Sequence, residues 1–584
     1  MASLRDQPVR FRLMQTPMRI ERDVPITMDD GVVLRADLFI PIEDGVYPTL
    51  LSYGPYGKGL AFQEGYKPQW DYMIQKYPEV AEDTSNEHQN WEVVDPERWV
   101  PTGYVCARVD SRGTGRSPGY VDVWSRRETV DLYDCIEWAA SQAWSNGRIG
   151  LAGISYYAMN QYQVAALQPP HLAAICPWEG ASDWYRDFAR HGGILCEFAQ
   201  DWYPRQVENV QHGVGERGFF SAVTRESVSG PDTEAPEVLA SRRADLGQDV
   251  KNRPLFDAWH LERNPDWSRV RTPMLSAANW GGQGLHLRGN VEAFTQSAAP
   301  EKWLEVHGDA HWVDFYTHRG VALQRRFFDY YLMGEDNGWG SEPKVQLRIR
   351  HVDGTFTDRA ENEWPLARTI WTRYHLTGEE SLAEEATANY SAVEYDPTGD
   401  GVTFTTDPVT EQMELTGPMS ARIFVSSETA DADLFLVVRV FDPDGAEVTF
   451  MGALDPNTPV AQGWLRASHR ALDPFMSQPF RPYHSHDRIE PLVPGETYEL
   501  EVEIWPTSIV LPAEYRLALT IRGNDYRYEG ELSDFAREFH YAGRGVGPFK
   551  HADPDDRPAD LFSGRVSIHV GSETDSYLLV PLIR

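Results

Sequence analysis

The sequence has few cysteines and no long apolar run. Four cysteines occur in 584 residues, Cys106, Cys135, Cys176 and Cys196, and no pair has the CxxC spacing of a zinc site. Because each lies in an apolar context, we expect buried free thiols rather than disulfides. No stretch approaches the roughly 18 apolar residues of a membrane-spanning helix. Residues 1–17 carry charges where a signal peptide needs an apolar run, so the sequence predicts a cytoplasmic protein.

Positive charge is also scarce. Lys and Arg total 54 against 88 for Asp and Glu, which gives a formal net charge of −34 at pH 7. Such a surface repels phosphate backbones and anionic lipids, so we expect neither nucleic acid nor a membrane as partner. The charge has a simple explanation in solubility, and a preference for neutral or cationic substrates is the alternative.

Motifs for cofactors and metals are missing as well. The sequence contains no HExxH, no EF-hand loop, no Cys/His cluster and no P-loop with its Lys-Ser/Thr. We therefore expect no cofactor and no metal, and a small molecule as the binding partner. The sequence leaves a homo-oligomer open.

Strands and helices alternate through the first part of the chain. A protein of 584 residues is too long for one hydrophobic core, so more than one domain is expected. Strand, helix, strand, helix and strand follow one another between residues 103 and 176, which predicts a parallel sheet with right-handed crossovers. The alternation lapses and later resumes, and after about residue 345 short strands with turn signals predict an all-β sandwich. The predicted division is 1–181 and 269–344 for the two parts of the α/β core, 182–268 for a helical cap, and 345–584 for a jelly-roll β-sandwich.

Ser155 stands where a predicted strand meets a predicted helix. A strand ending in Gly153, a tight turn and then a helix is the context of a nucleophile elbow, which projects the serine hydroxyl clear of the backbone. The helix N-terminus offers N–H groups to a developing oxyanion. The G-x-S-x-G pattern is incomplete, however, because Tyr157 occupies its last position. By this pattern alone, Ser155 is as good a candidate for a helix N-cap as for a nucleophile.

Three separate segments resemble one family of serine hydrolases. They are 134–156 (DCIEWAASQAWSNGRIGLAGISY), 109–117 (VDSRGTGRS) and 54–58 (GPYGK). The family they resemble includes bacterial cocaine esterase, glutaryl acylase-type enzymes, α-amino-acid ester hydrolases and X-Pro dipeptidyl peptidases. The resemblance covers nearly the whole chain and implies an α/β-hydrolase fold with a helical cap insertion and a C-terminal jelly roll.

The resemblance also implies roles for individual residues. Ser155 would attack the acyl carbon and carry the acyl-enzyme. The phenolic O–H of Tyr56 and the backbone N–H of Tyr156 would donate to the oxyanion, although Tyr56 is alternatively an ordinary turn aromatic. His311 follows the last strand of the α/β unit, at the position of the family's general base. His307 is expected to be structural, and His286 and His318 are weaker candidates for the base.

The acid of the expected triad is missing. The family pattern places an aspartate two residues after a tryptophan, and here Trp280 is followed by Gly281 and Gly282. Glu179 directly follows the strand after the nucleophile helix and lies on the same rim of the predicted sheet, so it is the predicted substitute. The alternative for Glu179 is an ion pair or a cap at the rim. Asp309 is the runner-up for the acid, and weaker candidates are Asp183 and Asp314.

The predicted activity is hydrolysis of an ester, with amide or aminopeptidase activity as alternatives in the same class. Because loops at this rim form the pocket, Trp178, Trp280 and His286 are predicted to contact the substrate. The glycines around Gly282 alternatively make only a tight turn. A binding protein that kept the fold and lost the chemistry is the second hypothesis, which the missing acid supports and the other site residues oppose.

Overall fold

Two β-sheets and a small ribbon organise the chain, in a computed structural model that describes residues 18–531 and 544–584. Residues 1–17, on which the expectation about a signal peptide depends, lie outside the described residues. The strands of the first sheet and of the ribbon are β1 Met18–Thr27, β2 Val33–Pro41, β3 Tyr47–Gly54, β4 Val105–Asp110, β5 Ser145–Ile154, β6 Leu172–Trp178, β7 Arg190–His191, β8 Ile194–Leu195, β9 Met274–Asn279, β10 Lys302–His307, β11 Val345–Arg350 and β12 Phe356–Glu361.

The first sheet has the order β1-β2-β4-β3-β5-β6-β9-β10-β11-β12. In this order the seven strands from β4 to β11 are parallel to one another. Strand β2 is antiparallel to both β1 and β4, and β12 is antiparallel to β11. Strands β4 and β9 are buried along their whole length, as expected where helices cover both faces of a parallel sheet. The strand order therefore sets β5, β6, β9 and β10 side by side, with their carboxyl ends at one edge.

Helices connect these strands and fill the interval between β6 and β9. Helix formation follows local signals, as at 126–140, where Ser125 caps the first turn and the buried residues recur at helical spacing. The α-helices are α1 Phe62–Gly65, α2 Lys67–Lys76, α3 Pro96–Trp99, α4 Arg126–Ala140, α5 Tyr156–Ala165, α6 Phe198–Trp202, α7 Pro236–Ala240, α8 Leu246–Lys251, α9 Ala258–Arg263, α10 Leu287–Gln296, α11 His318–Phe328 and α12 Ala559–Phe562. Single π-helical turns are Trp184–Ala189, Tyr203–Val207 and Asp329–Met333, and short 3-10 turns are Pro78–Ala81, Val100–Thr102, Glu208–Val210, Gly215–Arg217, Asp314–Tyr316, Trp339–Ser341 and Ala467–His469.

The second sheet is antiparallel throughout and forms the C-terminal β domain. Its core is a separate cluster of aliphatic side chains such as Leu415, Leu436 and Leu519. The order is β14-β13-β23-β17-β20-β19-β18-β21-β16, and β22 pairs with β15 and β17. The strands are β13 Ile370–Leu376, β14 Leu382–Ala383, β15 Ser391–Tyr395, β16 Val402–Thr405, β17 Met413–Ser427, β18 Asp433–Phe441, β19 Ala461–Arg466, β20 Tyr498–Leu511, β21 Arg516–Arg522, β22 Val566–Val570 and β23 Tyr577–Ile583.

The predicted fold class is confirmed: the chain combines an α/β-hydrolase core with a C-terminal β domain. The sheets do not divide at residue 345, however. Strand β11 pairs in parallel with β10, and β12 pairs with β11, so residues 345–361 belong to the first sheet. Polar and apolar residues alternate in β11, and β12 is mostly polar, as in an edge hairpin, which sequence alone does not distinguish from the start of a β-sandwich.

Two expectations about single features can also be compared with the structure. The four cysteines are free and buried, as predicted. None of the helices in the described part of the chain has the length and apolar character needed to cross a bilayer.

Candidate active site

Ser155 occupies a strained turn between β5 and α5. Its backbone angles are φ 53° and ψ −109°, a conformation that costs a non-glycine residue free energy and is found mainly at functional sites. The turn is fixed by its neighbours, because the N–H of Ser155 donates to the carbonyl of Trp178 at 3.0 Å and that of Ile154 donates to the carbonyl of Glu92 at 3.0 Å. The serine therefore stands at the carboxyl edge of the parallel strands.

Two glycines explain how the incomplete elbow motif is accommodated. Gly153 has φ 157°, and a Cβ atom there would lie 2.4 Å from Cβ of Tyr157 and 3.0 Å from the carbonyl oxygen of Glu92. Gly54, at the end of β3, leaves room for the Tyr157 ring, since a Cβ atom at Gly54 would lie 2.6 Å from that ring. The motif places a small residue two positions after the serine, where this chain has Tyr157. Gly54 on the adjacent strand provides the space that the Tyr157 ring needs.

The Ser155 hydroxyl forms its hydrogen bond with His286. The distance from Oγ to Nε2 of His286 is 3.1 Å, and His286 precedes the first residue of α10. The other ring nitrogen, Nδ1, is buried and has no hydrogen-bond partner among the described residues. The His286 ring is stacked on that of His311, with centroids 4.5 Å apart and an interplanar angle of 12°. The structure therefore brings a second histidine to Ser155, a residue predicted to contact substrate and named as a weaker candidate for the base.

His311 lies between two carboxylates. Its Nδ1 is 2.9 Å from Oε2 of Glu179, and its Nε2 is 3.0 Å from Oε1 of Glu92. Glu179 follows β6 directly, as the sequence analysis proposed for the displaced acid, and its side chain is fully buried. Its other oxygen, Oε1, is 3.0 Å from Nε2 of His307 and accepts from Asn279 at 3.2 Å. Glu179 is therefore held in place from both sides.

Burial and charge shift the protonation of these groups in opposite directions. Against the effect of burial, which lowers it, the carboxylates of Glu179 and Glu92 raise the pKa of His311 to about 9. Against burial again, His311 and His307 lower the pKa of Glu179 to about 2. Burial raises the pKa of Glu92 to about 7. Burial and the nearby His311 hold the pKa of His286 well below the usual range, so His286 is neutral.

The other candidates for the acid lie elsewhere. Asp309 accepts hydrogen bonds from Tyr72 at 2.9 Å and from Lys76 at 2.7 Å, so its carboxylate is directed away from His311. Asp183 caps the turn that follows it and pairs with an arginine, and Asp314 pairs with Arg319. The N–H of Gly282 donates to the carbonyl of Asn279 at 2.8 Å, and its carbonyl accepts from the first turn of α10. The glycine-rich loop is thus a tight turn.

His307 has a connecting position, as expected of a structural residue. Its Nδ1 is 2.7 Å from Oε2 of Glu305, and Arg319 donates to the same carboxylate at 2.6 Å. Against burial, Glu305 and Glu179 raise the pKa of His307 to about 10, so it is a buried cation between two anions. His318, the other weaker candidate for the base, begins α11.

Tyr56 and Tyr156 lie beside the nucleophile. The hydroxyl oxygen of Tyr56 accepts from Nε1 of Trp202 at 3.2 Å, and burial raises the Tyr56 pKa well above its usual value, so the phenol keeps its proton. Tyr156 is the first residue of α5, and its N–H therefore has no acceptor within the helix. The phenol of Tyr156 points away from the cavity and donates to Glu128.

Trp178 and Trp280, which the sequence analysis expected to contact substrate, are fully buried. Trp178 packs against the rings of His307 and Phe315. Trp280 donates from Nε1 to the carbonyl of Arg348 at 2.7 Å. Both tryptophans therefore pack beneath the site and do not line the cavity. Large aromatic side chains at these strand ends fill the core.

A cavity of about 210 Å³ joins the site residues. Ser155, His286, His311, Glu92 and Tyr56 all line it, and further aromatic walls come from Tyr66, Trp91, Phe198 and Trp202. The sequence analysis did not identify Glu92 or Trp202, because neither belongs to a motif and each reaches the site through tertiary packing. The cavity, the strained serine and the carboxylate-bound histidine together can perform nucleophilic acyl chemistry.

Comparisons with known proteins relate the whole chain to a family of hydrolases. Residues 30–313 match the family model described as X-Pro dipeptidyl-peptidase (S15 family), and residues 337–532 match the X-Pro dipeptidyl-peptidase C-terminal non-catalytic domain. The chain is 24% identical to cocaine esterase of Rhodococcus sp. (strain MB1 Bresler), over 97% of this chain and 99% of that protein. It is also 24% identical to a putative serine esterase of Mycobacterium tuberculosis, over 86% of this chain and 90% of that protein.

Solved structures show the same architecture. A crystal structure of a CocE/NonD family hydrolase from Staphylococcus aureus is 31% identical, covers 97% of this chain and 94% of its own, and superposes with a TM-score of 0.81. An α-amino-acid ester hydrolase is 15% identical, covers 99% of this chain and 100% of its own, and has a TM-score of 0.64. The second likeness concerns the fold alone.

Proposed function

The chain belongs to the CocE/NonD family of hydrolases, and from this premise we propose that it cleaves esters of small molecules through an acyl-enzyme on Ser155. Esterases and peptidases are the named relatives, so the chain is a serine hydrolase. The observation that carries the proposal is one cavity that contains both a serine on a strained elbow and a histidine bound to a buried carboxylate.

We assign the base to His311 and the acid to Glu179. A general base must become an imidazolium in the transition state, and a carboxylate on its far nitrogen stabilises that cation and fixes the tautomer. His311 has this partner in Glu179 at 2.9 Å, whereas Nδ1 of His286 has none. Before the reaction, Nε2 of His311 must leave the Glu92 carboxylate and form a hydrogen bond with the Ser155 hydroxyl.

His286 then has a supporting role. In the resting protein it holds the Ser155 hydroxyl at 3.1 Å. Protonation of His286 is unfavourable, because the ring is buried and stacked against a cationic His311. His286 is therefore a positioning residue that keeps the hydroxyl within the cavity until the substrate binds.

The proposed acylation follows from these roles. The Ser155 oxygen bonds to the acyl carbon while its proton passes to Nε2 of His311. The carbonyl oxygen becomes an oxyanion that accepts from the Tyr56 phenol and the Tyr156 N–H. Collapse of this intermediate breaks the ester bond, and the departing alkoxide takes the proton from His311. Water then attacks the acyl-enzyme and gives a proton to His311. That proton passes to the departing Ser155 oxygen, and the carboxylic acid is released.

Active-site labelling tests the proposal directly. The full-length protein should react with a fluorophosphonate probe, and the Ser155→Ala variant should not. The same pair, assayed on a library of ester and amide substrates, identifies the acyl and leaving groups. Absence of labelling of the native protein, under conditions where a known esterase labels, would favour a binding protein on the same fold. Turnover of amides above that of esters would favour the amidase or aminopeptidase alternative.

A further inference from the structure

A second group of ligand-type side chains lies outside the catalytic cavity. His191 at the end of β7, Cys196 just after β8 and His551 near the C-terminus are all fully buried. One nitrogen of each histidine and the thiol sulfur lie within 4.8 Å of one another. His191 and Cys196 are close in the sequence but His551 is far from both, so the sequence shows no metal motif.

His551 is oriented by a carboxylate on its far side. Nδ1 of His551 is 2.7 Å from Oδ1 of Asp525, and the His551 backbone N–H donates to Oδ2 at 2.7 Å. A carboxylate accepts hydrogen bonds, so Nδ1 carries the ring proton and Nε2 presents a lone pair. This is the carboxylate–histidine arrangement that orients metal-ligating imidazoles in proteins.

His191 faces His551 with a second lone pair. Its Nε2 lies 3.4 Å from the carbonyl oxygen of Asp187, which can only accept, and the tautomer that donates there has a lone pair on Nδ1. Nδ1 of His191 is 2.8 Å from Nε2 of His551. In this tautomer the two lone pairs repel unless a positive species lies between them. A proton or a metal ion would satisfy both nitrogens, and the nearby thiol supplies a third ligand for a metal.

We propose that Nδ1 of His191, Nε2 of His551 and the thiolate of Cys196 bind a transition-metal ion, zinc by preference. Two imidazoles and one thiolate suit zinc or copper among the first-row metals, and hard cations such as magnesium prefer oxygen ligands. On binding, the Cys196 thiol releases its proton to solvent and both imidazoles stay neutral. Aromatic rings of Trp464, Trp505 and Phe435 pack against the two histidines.

The site lies directly behind one wall of the catalytic cavity. Cys196 precedes Phe198 and Trp202, and His551 follows Lys550, and all three of these neighbours line the cavity. Trp202 donates to the hydroxyl of Tyr56. A metal ion at the site therefore links the cap to the C-terminal β domain and holds this wall in position.

Metal analysis of the tag-free full-length protein tests the proposal without reference to activity. We expect zinc or copper in equimolar amount with the chain by elemental analysis after dialysis. Replacement by Co²⁺ should produce the near-ultraviolet thiolate-to-cobalt charge-transfer band of a cysteine ligand. Removal by a chelator should lower Tm, and adding Zn²⁺ should restore it, because a ligand that binds only the folded state stabilises it.

Variants separate a metal site from a hydrogen-bonded pair of histidines. Cys196→Ser should lose the charge-transfer band and at least about tenfold in metal affinity, which corresponds to about 1.4 kcal/mol. Cys135→Ser, at another buried thiol, should keep both. A native protein that contains no stoichiometric metal and takes up neither Zn²⁺ nor Co²⁺ would overturn the proposal and leave a shared proton between the histidines. That result would not affect the serine hydrolase assignment, which fluorophosphonate labelling tests separately.

Discussion

At the residue scale, the two histidines of the cavity differ in what their far nitrogens contact. Nδ1 of His311 meets Glu179, whereas Nδ1 of His286 is buried without a partner. The Ser155 hydroxyl is nevertheless bonded to His286 in the resting structure. His286 is thus the histidine nearer the Ser155 hydroxyl, and His311 is the one with a carboxylate to stabilise an added proton, which is why we propose His311 as the base.

Substitution of each histidine distinguishes these roles. His311→Ala should lower kcat by at least about 10³-fold, because it removes the proton acceptor. His286→Ala should lower kcat by only about tenfold, the value of one hydrogen bond that positions the hydroxyl. Steady-state kinetics with a chromogenic ester measures both. If His286→Ala were the more damaging change, His286 would be the base and the role of Glu179 would be indirect.

Glu92 sets the pH range over which His311 can accept a proton. Activity requires neutral His311 and should therefore rise with pH as the His311 pKa, about 9, is approached from below. Glu92→Gln removes one of the two carboxylates that stabilise the imidazolium, so the pKa falls and the acid limb of kcat/KM moves to lower pH, by about one unit. Profiles from about pH 5 to about pH 10 measure the shift.

A matched control is Asp201→Asn, which neutralises another carboxylate of the cavity that pairs with Arg205 and Lys550. Its acid limb should coincide with that of the native protein. An acid limb at unchanged or higher pH in Glu92→Gln would show that Glu92 does not stabilise the protonated histidine.

At the scale of elements, the elbow depends on a glycine in the neighbouring strand. The ring of Tyr157 in α5 occupies the space that a side chain at Gly54 in β3 would need. The sheet order sets β3 directly beside β5, so the helix that follows β5 can press a large ring against β3. The strand pairing thus compensates for the departure from the G-x-S-x-G pattern.

Gly54→Ala should destabilise the protein, because its Cβ atom would lie 2.6 Å from the Tyr157 ring. Overpacking of this kind costs about 1–3 kcal/mol, and displacement of α5 should also reduce activity. Gly59→Ala is the control, since a Cβ atom there meets nothing closer than 3.8 Å. Urea denaturation measures both. Gly54→Ala should cost less in a Tyr157→Ala background than in the native protein, and an equal cost in the two backgrounds would contradict this account.

Elements and site residues differ in how far the sequence predicts them. The alternation around Ser155 and the short strands of the β domain depend on local patterns, so the fold class could be predicted. Glu179 could be proposed because adjacent parallel strands end at one rim. The contact between His286 and Ser155 could not, because it depends on how the loop before α10 turns. The place of Glu92 in the cavity could likewise not be predicted, because its backbone conformation, with φ 63°, depends on tertiary contacts.

At the scale of the whole molecule, the β domain contributes to the catalytic site. The carbonyl of Ala453 accepts from the N–H of His311 at 2.9 Å, and the N–H of Ala453 donates to the carbonyl of Gly281 at 2.8 Å. A segment between β18 and β19 is thus inserted between the loop that carries the base and the glycine-rich loop. The position of His311 therefore depends on both sheets.

Gly281→Ala tests this dependence. A Cβ atom at Gly281 would lie 2.4 Å from Cα of Gly452, a backbone atom that cannot be moved alone. We expect the Ala453 segment to shift and kcat to fall by about tenfold or more, as small displacements of catalytic groups do. Gly399→Ala, in a loop of the β domain with no Cβ contact below 3.5 Å, is the control. Near-native activity in Gly281→Ala would show that the two loops adjust independently.

The hairpin formed by β11 and β12 has a consequence for the construction of chimeric enzymes. A junction placed at residue 345, where the composition of the sequence changes, would remove two strands from the first sheet and uncover the edge of β10. The unpaired N–H and C=O groups of an uncovered strand can pair with a strand of another molecule and cause aggregation. Exchange of β domains between relatives should therefore use a crossover after residue 361, so that each recipient core keeps its own terminal hairpin.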